Sequence, residues 1–393
     1  MIKAIKWVAG KVLRVIPEPL LGRLLPGEFR FDPRDLPELP EPPIGAIRVY
    51  IAPANYAGQG WEWARAIDRY FDGAQASNMV YQRKADFRYQ ADSAVPLGFY
   101  AASRRWQRRQ FDWVAKNYTH VIIEAEQQPF GAVLDESVTS QVRRLQTRGL
   151  TVTMLCHGTD IRLPSRHREL VPNSPFADSL ASVAPKLEEL ARTNRQILDS
   201  LALPVLVSTP DLLADVPVAR WLPVVVDAAR WSVTSEPLDR AVPVVAHAPS
   251  KGAVKGSELI DPILQRMHER GIIEYRRVNG VPSAQMPDVY RSADIVLDQF
   301  RLGSYGVAAC EAMAAGRVVV GHITDDNRAR VRESTGESLP IVESTVEDLE
   351  EVLLGVILNR EGSREIARAG AAFVAKVHDG RFSAAVFEDL FHS

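Results

Sequence analysis

The chain has 393 residues, of which 46% are hydrophobic and 24% are charged, and its formal net charge is -2. This length predicts two or three domains, and the ordinary composition excludes a disordered or collagen-like chain. The near-neutral charge excludes a general nucleic-acid binder, so we expect no nucleic-acid partner. Two cysteines, Cys156 and Cys310, are too few for a disulfide framework and suit a reducing cytoplasm.

The N-terminus carries a local charge that the total conceals. Residues 1–25 contain one acid, Glu18, and five basic residues, Lys3, Lys6, Lys11, Arg14 and Arg23, which gives +4. The apolar residues between 2 and 16 share one helical face, which predicts a short amphipathic helix. Such a helix can bind an anionic membrane surface, on the inner face of the membrane, or pack on its own domain or on a second subunit. A Pro-rich linker follows up to residue 46.

After residue 46, short apolar runs alternate with amphipathic helical stretches. The predicted strands are 47–52, 77–81, 119–124, 151–156, 204–208, 221–226, 242–246, 272–278, 294–298, 317–321 and 339–342. The predicted helices are 60–71, 104–116, 136–148, 178–200, 254–270, 306–315 and 345–358. This alternation predicts an α/β protein with parallel sheets covered by helices, and ligands bind at the carboxyl ends of such strands.

The predicted strands are too many for one doubly wound sheet, and the stretch 226–243 is predicted to connect two domains. We therefore predict two Rossmann-like domains that face each other across a cleft, at 47–226 and 227–379. Residues 1–46 form the N-terminal extension, and residues 380–393 form a closing helix.

The first strand leads into a glycine-containing turn. Gly58 and Gly60 precede a helix, where backbone N–H groups can approach a negatively charged ligand. The third glycine of a dinucleotide fingerprint is absent, which disfavours a nicotinamide dehydrogenase. A purely structural turn is the open alternative.

Polar residues follow the strand 151–156. His157 and Asp160 stand at its carboxyl end, where they can hydrogen-bond sugar hydroxyls or a phosphate. A histidine bonded to the backbone is the structural alternative. No second Cys/His pair stands at ligand spacing, so we predict no metal site.

The second domain opens with a strand that runs into His247 and Ser250, and Lys255 then precedes another helix. A lysine beside a helix N-terminus forms an anion site suited to a diphosphate, which predicts Lys255 as a phosphate contact. A solvated surface lysine is the alternative.

The stretch 293–321 is the most specific part of the sequence. Its strand ends at Asp298, and a helix of small residues further on carries Glu311. The predicted anion-binding loop between them consists of Gly303, Ser304, Tyr305, Gly306 and Val307. A glutamate in an apolar helix is costly unless it accepts hydrogen bonds, which ribose hydroxyls would supply.

Together these features resemble the retaining GT-B glycosyltransferases of the family 4 type. The matching elements are the first glycine turn, His157, Lys255 with Gly256, the "Gly-Val-Pro" at 280–282, which begins with Gly280 and Val281, and the stretch GSYGVAACEAMAAG. The resemblance implies a nucleotide-sugar co-substrate, a UDP- or GDP-sugar, held mainly by the C-terminal domain. It implies a glycan, lipid-linked or small-molecule acceptor, bound mainly by the N-terminal domain.

The resemblance also implies the mechanism. His157, Lys255 and Glu311 would be the catalytic residues, and the leaving phosphate itself would act as the base. The absence of an Asp-x-Asp pair predicts transfer without a metal. Members of this family commonly carry a second glutamate eight positions before the one that Glu311 matches, and Gly303 stands there instead.

Two departures from the pattern leave roles open. The contact of the missing glutamate would come from backbone amides or from Asp298. The usual arginine beside the phosphate-binding lysine is not evident, and His247, Ser250 or Lys251 would substitute for it. A catalytically inactive GT-B-like binding protein and a nucleotide-sugar epimerase are the alternative functions.

Overall fold

The computed structural model describes residues 16–84, 89–132, 137–233, 235–249 and 252–392. The predicted N-terminal amphipathic helix therefore lies, except for Ile16, outside the described residues, and so do Ser250 and Lys251. None of the helices in these ranges combines the length and the apolarity that crossing a membrane requires.

The first sheet contains seven strands in the order β3-β2-β1-β4-β5-β6-β7. The strands are β1 Ile47–Ala52, β2 Ala74–Gln82, β3 Ser93–Pro96, β4 His120–Glu124, β5 Thr151–Cys156, β6 Val205–Val207 and β7 Arg220–Trp221. Neighbouring strands from β3 through β5 pair in parallel. Val49, Ile51, Ile122 and Met154 are fully buried, as expected for strands covered on both faces.

The second sheet contains five parallel strands in the order β12-β11-β10-β8-β9. They are β8 Val244–His247, β9 Glu274–Arg277, β10 Ile295–Leu297, β11 Val318–Gly321 and β12 Val342–Glu343. Leu297 lies opposite His247 across the β8–β10 pair. The loops that leave β8 and β10 therefore start side by side at the carboxyl edge of this sheet.

Helices occupy most of the connections between the strands. They are α1 Glu18–Leu24, α2 Gln59–Tyr70, α3 Leu97–Ala102, α4 Arg104–Asn117, α5 Val138–Thr147, α6 Pro164–Leu170, α7 Ala184–Leu201, α8 Ala228–Trp231, α9 Gly252–Lys255, α10 Ser257–Glu269, α11 Met286–Ser292, α12 Val307–Ala314, α13 Asp325–Thr335, α14 Leu349–Leu358, α15 Arg360–Phe373 and α16 Arg381–His392. The core of the second sheet joins Val245, Leu297 and Val318 to Ile260 and Leu353 from its covering helices.

The chain divides into two compact units. One contains the described residues up to Cys156 together with Gln196–Leu206, and the other contains His157–Arg195 and the residues from Val207 onward. The two parallel sheets confirm the predicted α/β class with Rossmann-like organisation. The domain limits at 47–226, 227–379 and 380–393 remain predictions.

The sequence pattern misplaces two strands. β3 was not predicted, because it is four residues long, mixes polar and apolar side chains and ends at Pro96. The prediction of a strand over 221–226 is wrong beyond Trp221. Pro223 has no N–H for a sheet, and the backbone of Val224 and Val226 instead hydrogen-bonds His378.

Candidate functional site

The glycine turn after β1 is held by acceptors from its own unit. The carboxylate of Glu124, at the end of β4, accepts the N–H groups of Ala54 and Asn55 at 2.9 and 3.0 Å. The Asn55 side-chain oxygen accepts the N–H of Trp61 at 3.0 Å. These hydrogen bonds occupy backbone N–H groups that would otherwise be available to a bound phosphate.

Both predicted glycines have a structural task in this turn. Gly58 has φ +78°, in the left-handed region that favours glycine. A Cβ on Gly60 would lie 3.2 Å from the side-chain oxygen of Asn55. Their contact with a sugar donor remains a prediction.

The loop after β5 is stabilised by Asp160. Its carboxylate accepts the backbone N–H groups of His157 at 2.8 Å and of Gly158 at 2.5 Å. The Asp160 carbonyl in turn accepts the side-chain amide of Asn194. Asp160 therefore fixes the backbone that carries the half-buried His157, and the roles of both residues toward a sugar remain predictions.

A buried ion pair stands two residues beyond Asp160. Arg162 Nε lies 3.1 Å from the Asp211 carboxylate, and both side chains are nearly inaccessible to solvent. Burial alone would raise the pKa of Asp211, but Arg162 and the nearby Thr209 and Ser304 hydroxyls lower it below its usual value. Asp211 is therefore ionised at neutral pH, beside the loop that carries Ser304.

Lys255 also has an acidic partner. Its Nζ lies 2.5 Å from Asp298 Oδ1, at the carboxyl end of β10. The backbone joins the same two loops, since Phe300 N–H donates to the Lys255 carbonyl at 3.1 Å. Within the part of the chain that the structure describes, the other Asp298 oxygen is buried and accepts no hydrogen bond. Lys255 and this oxygen together can bind a ligand that presents both an anion and a hydroxyl.

His247 uses both of its ring nitrogens within the fold. Nδ1 donates to the Leu297 carbonyl at 3.0 Å, and Nε2 accepts from the Ser257 hydroxyl at 2.8 Å. Burial lowers the pKa of His247 to about 4, so the ring is neutral at pH 7. A direct contact with a donor, as predicted for His247, would require one of these bonds to break.

Gly303 occupies a position that a glutamate cannot take without distortion. Its φ is +66°, and a Cβ there would lie 2.7 Å from Thr324 Cγ2 and 3.4 Å from the methyl groups of Val171. Its carbonyl accepts from the Asn327 amide at 2.6 Å and from Thr324 N–H at 3.0 Å. The backbone geometry therefore accounts for the departure from the family pattern at this position.

The loop after Gly303 leaves backbone donors open. Among the described residues, the N–H groups of Ser304, Tyr305 and Gly306 meet no acceptor. No side chain caps α12, which begins at Val307, although most helices need such a cap for their first N–H groups. Successive backbone amides without acceptors can form a concave site for an anion.

Tyr305 anchors this loop to the end of the chain. The Tyr305 hydroxyl lies 3.2 Å from His378 Nε2, and His378 Nδ1 donates to the Val224 carbonyl at 2.7 Å. Burial lowers the pKa of His378 to about 4, so its Nε2 is free of a proton and accepts from Tyr305. Glu311, half-buried on α12, stands one turn further along the same helix.

A pocket of about 360 Å³ in the second unit borders Leu302, the residue before Gly303. His167 Nε2 lies 3.4 Å from the Leu302 carbonyl there, and burial together with Arg162 lowers the pKa of His167 to about 4. The lining residues are Arg162, Arg166, His167, Leu170, Val171, Asp211, Ala214, Asp215, Leu302, Thr324, Asp326, Asn327 and Arg330. Arginines and aspartates in one pocket suit a polar ligand with several hydroxyl groups.

The remaining predicted residues lie at the strand ends. Gly280 is exposed with φ +67°, and Val281 follows it, beyond β9. Because β9 pairs in parallel with β8, this loop leaves the same sheet edge as Lys255. In the first unit, Cys156 Sγ lies 3.1 Å from Glu126 Oε1, and both groups can bind a metal ion. The absence of a metal remains a prediction.

Sequence reasoning missed four residues that shape these loops. They are His167, Asp211, Asn327 and His378, each of which reaches its partner from a distant part of the chain. These contacts span 24 to 135 residues of sequence, so the order of the elements in the fold, and not a local motif, brings the four residues to their partners.

The architecture is similar to that of solved glycosyltransferase structures. Sucrose-phosphate synthase from Thermosynechococcus elongatus has a TM-score of 0.56 at 11% identity, over 88% of this chain and 98% of that one. Anabaena Alr3699/HepE in complex with UDP-glucose has a TM-score of 0.53 at 11% identity, over 88% and 99%. Starch synthase IV from Arabidopsis thaliana, bound to ADP and acarbose, has a TM-score of 0.52 at 10% identity, over 89% and 99%.

The sequence matches no family model and no curated protein. The structural likeness at such low identity establishes the fold, and the chain has the two-domain, Rossmann-like GT-B fold that the sequence predicted.

Proposed function

We propose that this protein is a retaining, family 4-like glycosyltransferase that moves a sugar from a UDP- or GDP-sugar to a glycan, lipid-linked or small-molecule acceptor, without a metal. One observation carries the proposal. Lys255 and the open amides of Ser304–Gly306 belong to loops that leave adjacent parallel strands, β8 and β10. A cation beside free N–H groups is the arrangement that a diphosphate requires. The fold's likeness to a HepE structure that contains UDP-glucose supports the same choice of donor.

Each group in this arrangement has a task in the transfer. Lys255 and the loop amides would stabilise the negative charge that develops on the leaving diphosphate. The unpartnered oxygen of Asp298 would accept a donor-sugar hydroxyl, which is the contact that a glutamate at position 303 would otherwise make. Glu311 would accept the ribose hydroxyls, and His157 would bind the transferred sugar.

The chemistry balances without a protein nucleophile. The bond between the anomeric carbon and the phosphate oxygen breaks, and its electron pair stays on the diphosphate. The acceptor oxygen bonds to the same face of the anomeric carbon, and its proton passes to the departing phosphate oxygen. The enzyme contributes position and charge stabilisation.

Ligand-induced thermal stabilisation tests the donor site directly. We expect one or two of the UDP-, GDP- and ADP-sugars to raise the unfolding temperature of the wild-type protein, because a ligand that binds only the native state stabilises it. Lys255→Ala removes a charge-assisted hydrogen bond of about 1.5–3 kcal/mol. Calorimetry should then show donor affinity reduced roughly 10- to 150-fold.

The matched control is Lys186→Ala, which removes an exposed lysine from α7. Binding should be measured well below the unfolding temperature of each variant, since Lys255→Ala also leaves Asp298 without its cation. Equal donor affinity in both variants would remove Lys255 from the donor site.

One observation favours a second candidate, an inactive GT-B-like binding protein. Gly303 replaces a residue that contacts the donor in related enzymes, and the fold cannot accept a glutamate there without distortion. The two candidates differ in turnover, which chromatography of the released nucleoside diphosphate measures. Donor binding without release of nucleoside diphosphate, across an acceptor panel, would favour the binding protein.

We also propose that the enzyme works in the cytoplasm and attaches reversibly to the inner face of the membrane through residues 1–25. The +4 charge of this segment supports the attachment, because anionic lipids attract basic segments close to the surface.

A further inference from the structure

Helix α4 exposes arginines that its own unit does not neutralise. The helix begins RRWQRR, and Trp106, Gln107 and Gln110 are buried while Arg105, Arg108 and Arg109 are exposed. Residues three and four apart are neighbours on a helix surface, so these like charges repel each other. Among the described residues, no carboxylate forms an ion pair with Arg105 or Arg108. Folding alone gives no reason for this cluster.

The start of α4 contacts the N-terminal part of the chain. Arg104 donates to the Ile16 carbonyl at 2.7 Å, and the Arg105 N–H donates to Glu18 at 2.8 Å. An open pocket of about 390 Å³ lies here, lined by Glu18, Arg104, Arg105 and Arg108. Three arginines and one carboxylate line this pocket, and the excess of positive charge favours an anion such as a phosphate.

Exposed apolar side chains lie on the segment whose Glu18 accepts the N–H of Arg105. Leu20 and Leu24, one turn apart on α1, are 52% and 64% exposed, and Phe29 just beyond is 38% exposed. α1 packs against α3, and a single residue separates α3 from α4. Exposed leucine and phenylalanine beside basic side chains are typical of surfaces that enter the headgroup region of a bilayer.

The sequence places further basic residues just before the segment that contacts α4. Lys3, Lys6, Lys11 and Arg14 precede Ile16, whose carbonyl is bound by Arg104. The sequence therefore carries four further basic residues immediately before the segment that Arg104 contacts.

We propose that this surface, the arginine face (Arg104, Arg105, Arg108 and Arg109 with Leu20, Leu24 and Phe29), binds the phosphate headgroups of an anionic lipid bilayer. The arginines bind the phosphates, and the three apolar side chains enter the bilayer between the headgroups. The arginine face is part of the folded domain, so it orients the first unit on the membrane, which a terminal segment alone does not do. The inference is independent of sugar transfer.

Vesicle sedimentation of the full-length protein tests this inference. Vesicles of phosphatidylcholine that contain about 30% of the anionic lipid phosphatidylglycerol should bind the wild-type protein. Vesicles of pure phosphatidylcholine should not bind it. The variant R105Q/R108Q/R109Q should bind the anionic vesicles at least about tenfold more weakly. The control R192Q/R266Q/R332Q removes equal charge from exposed positions elsewhere and should bind like wild type.

Two further measurements separate the remaining outcomes. Inorganic phosphate identifies a site for a small soluble anion. Phosphate could stabilise the wild type but not R105Q/R108Q/R109Q, while anionic vesicles bind neither protein. That result would overturn the proposal that the ligand is a bilayer. Equal vesicle binding by both triple variants would overturn the arginine face itself. Donor-induced stabilisation should be the same in all three proteins, so a failed donor site would be recognised separately.

Discussion

The loops after β1 and after β10 have similar sequences and different hydrogen bonding. Each leads from a buried parallel strand through glycines into a helix. In the β1 loop, side-chain oxygens of Glu124 and Asn55 accept hydrogen bonds from backbone N–H groups of the loop. In the β10 loop, the N–H groups of Ser304–Gly306 have no acceptor among the described residues. A glycine turn is therefore open to an anion only where the fold supplies no carboxylate of its own.

The difference has an energetic consequence. A buried N–H without an acceptor costs about 1–3 kcal/mol, and Ser304 and Tyr305 are both buried residues. A bound diphosphate would supply acceptors for these N–H groups, which meet none among the described residues. The β1 loop gains less from a ligand, because Glu124 and Asn55 already accept the N–H groups of Ala54, Asn55 and Trp61.

The largest expected effect comes from Gly303→Ala in the β10 loop. The methyl group would meet Thr324 at 2.7 Å, and φ +66° is unfavourable for alanine. Strain of these two kinds adds up to about 2–4 kcal/mol, which urea unfolding would measure as a lower free energy of unfolding. Donor binding should weaken as well, because the loop amides shift.

The matched control is Gly306→Ala, three residues along the same loop. Gly306 has an extended backbone with φ −142°, and its Cβ would contact nothing within 4 Å. Little change in stability is expected there. A Gly303→Ala variant as stable as Gly306→Ala would show that the loop does not require glycine at position 303.

The sequence predicts the position of these loops better than their chemistry. Apolar runs such as TVTMLC mark buried strands, and loops at strand ends follow directly from them. The missing glutamate at position 303 is visible in the sequence, but its physical reason is a contact with Thr324, twenty-one residues further on. Likewise, nothing in the string HVIIE indicates that Glu124 closes the loop after another strand.

Interactions between distant residues account for most of what the sequence leaves out. Lys255 is a predicted cation, but its pairing with Asp298 arises only because β8 and β10 are adjacent in the sheet. His247 is a predicted donor contact, whereas both of its nitrogens bind other parts of the fold. Periodicity gives the elements, and the order of strands decides which side chains meet.

A smaller effect is expected from Glu124→Gln in the β1 loop. The amide keeps one acceptor oxygen and loses the charge that strengthens its bonds to Ala54 and Asn55. The free energy of unfolding should fall by about 1–2 kcal/mol, measured by urea unfolding. We expect donor affinity not to change, since the amide oxygen of the variant can still accept the N–H groups of Ala54 and Asn55.

The exposed Glu351→Gln on α14 serves as the control for the loss of one carboxylate. A fall in donor affinity in Glu124→Gln as large as that in Lys255→Ala would break the contrast between the two loops. The β1 loop would then belong to the donor site.

At pH 7 the smallest effect concerns His378, which holds Tyr305 in the β10 loop. Its pKa is about 4 in the fold and about 6.5 when unfolded, because burial disfavours the charged ring. Above pH 6.5 the ring is neutral in both states and contributes nothing. Between pH 6.5 and 4 the unfolded chain binds a proton that the fold resists, so stability falls as pH falls, by up to about 1.4 kcal/mol per unit.

Three other histidines, His120, His167 and His247, share this lowered pKa of about 4 and remain in a His378→Gln variant. The variant should therefore lose roughly a quarter of the slope that these four histidines contribute to the unfolding free energy between pH 6.5 and 4.5. Urea unfolding at half-unit pH steps measures that slope. An unchanged slope would mean that the ring of His378 is protonated as readily in the fold as in the unfolded chain. The ring would then be solvated rather than buried against Tyr305, and the β10 loop would need another anchor.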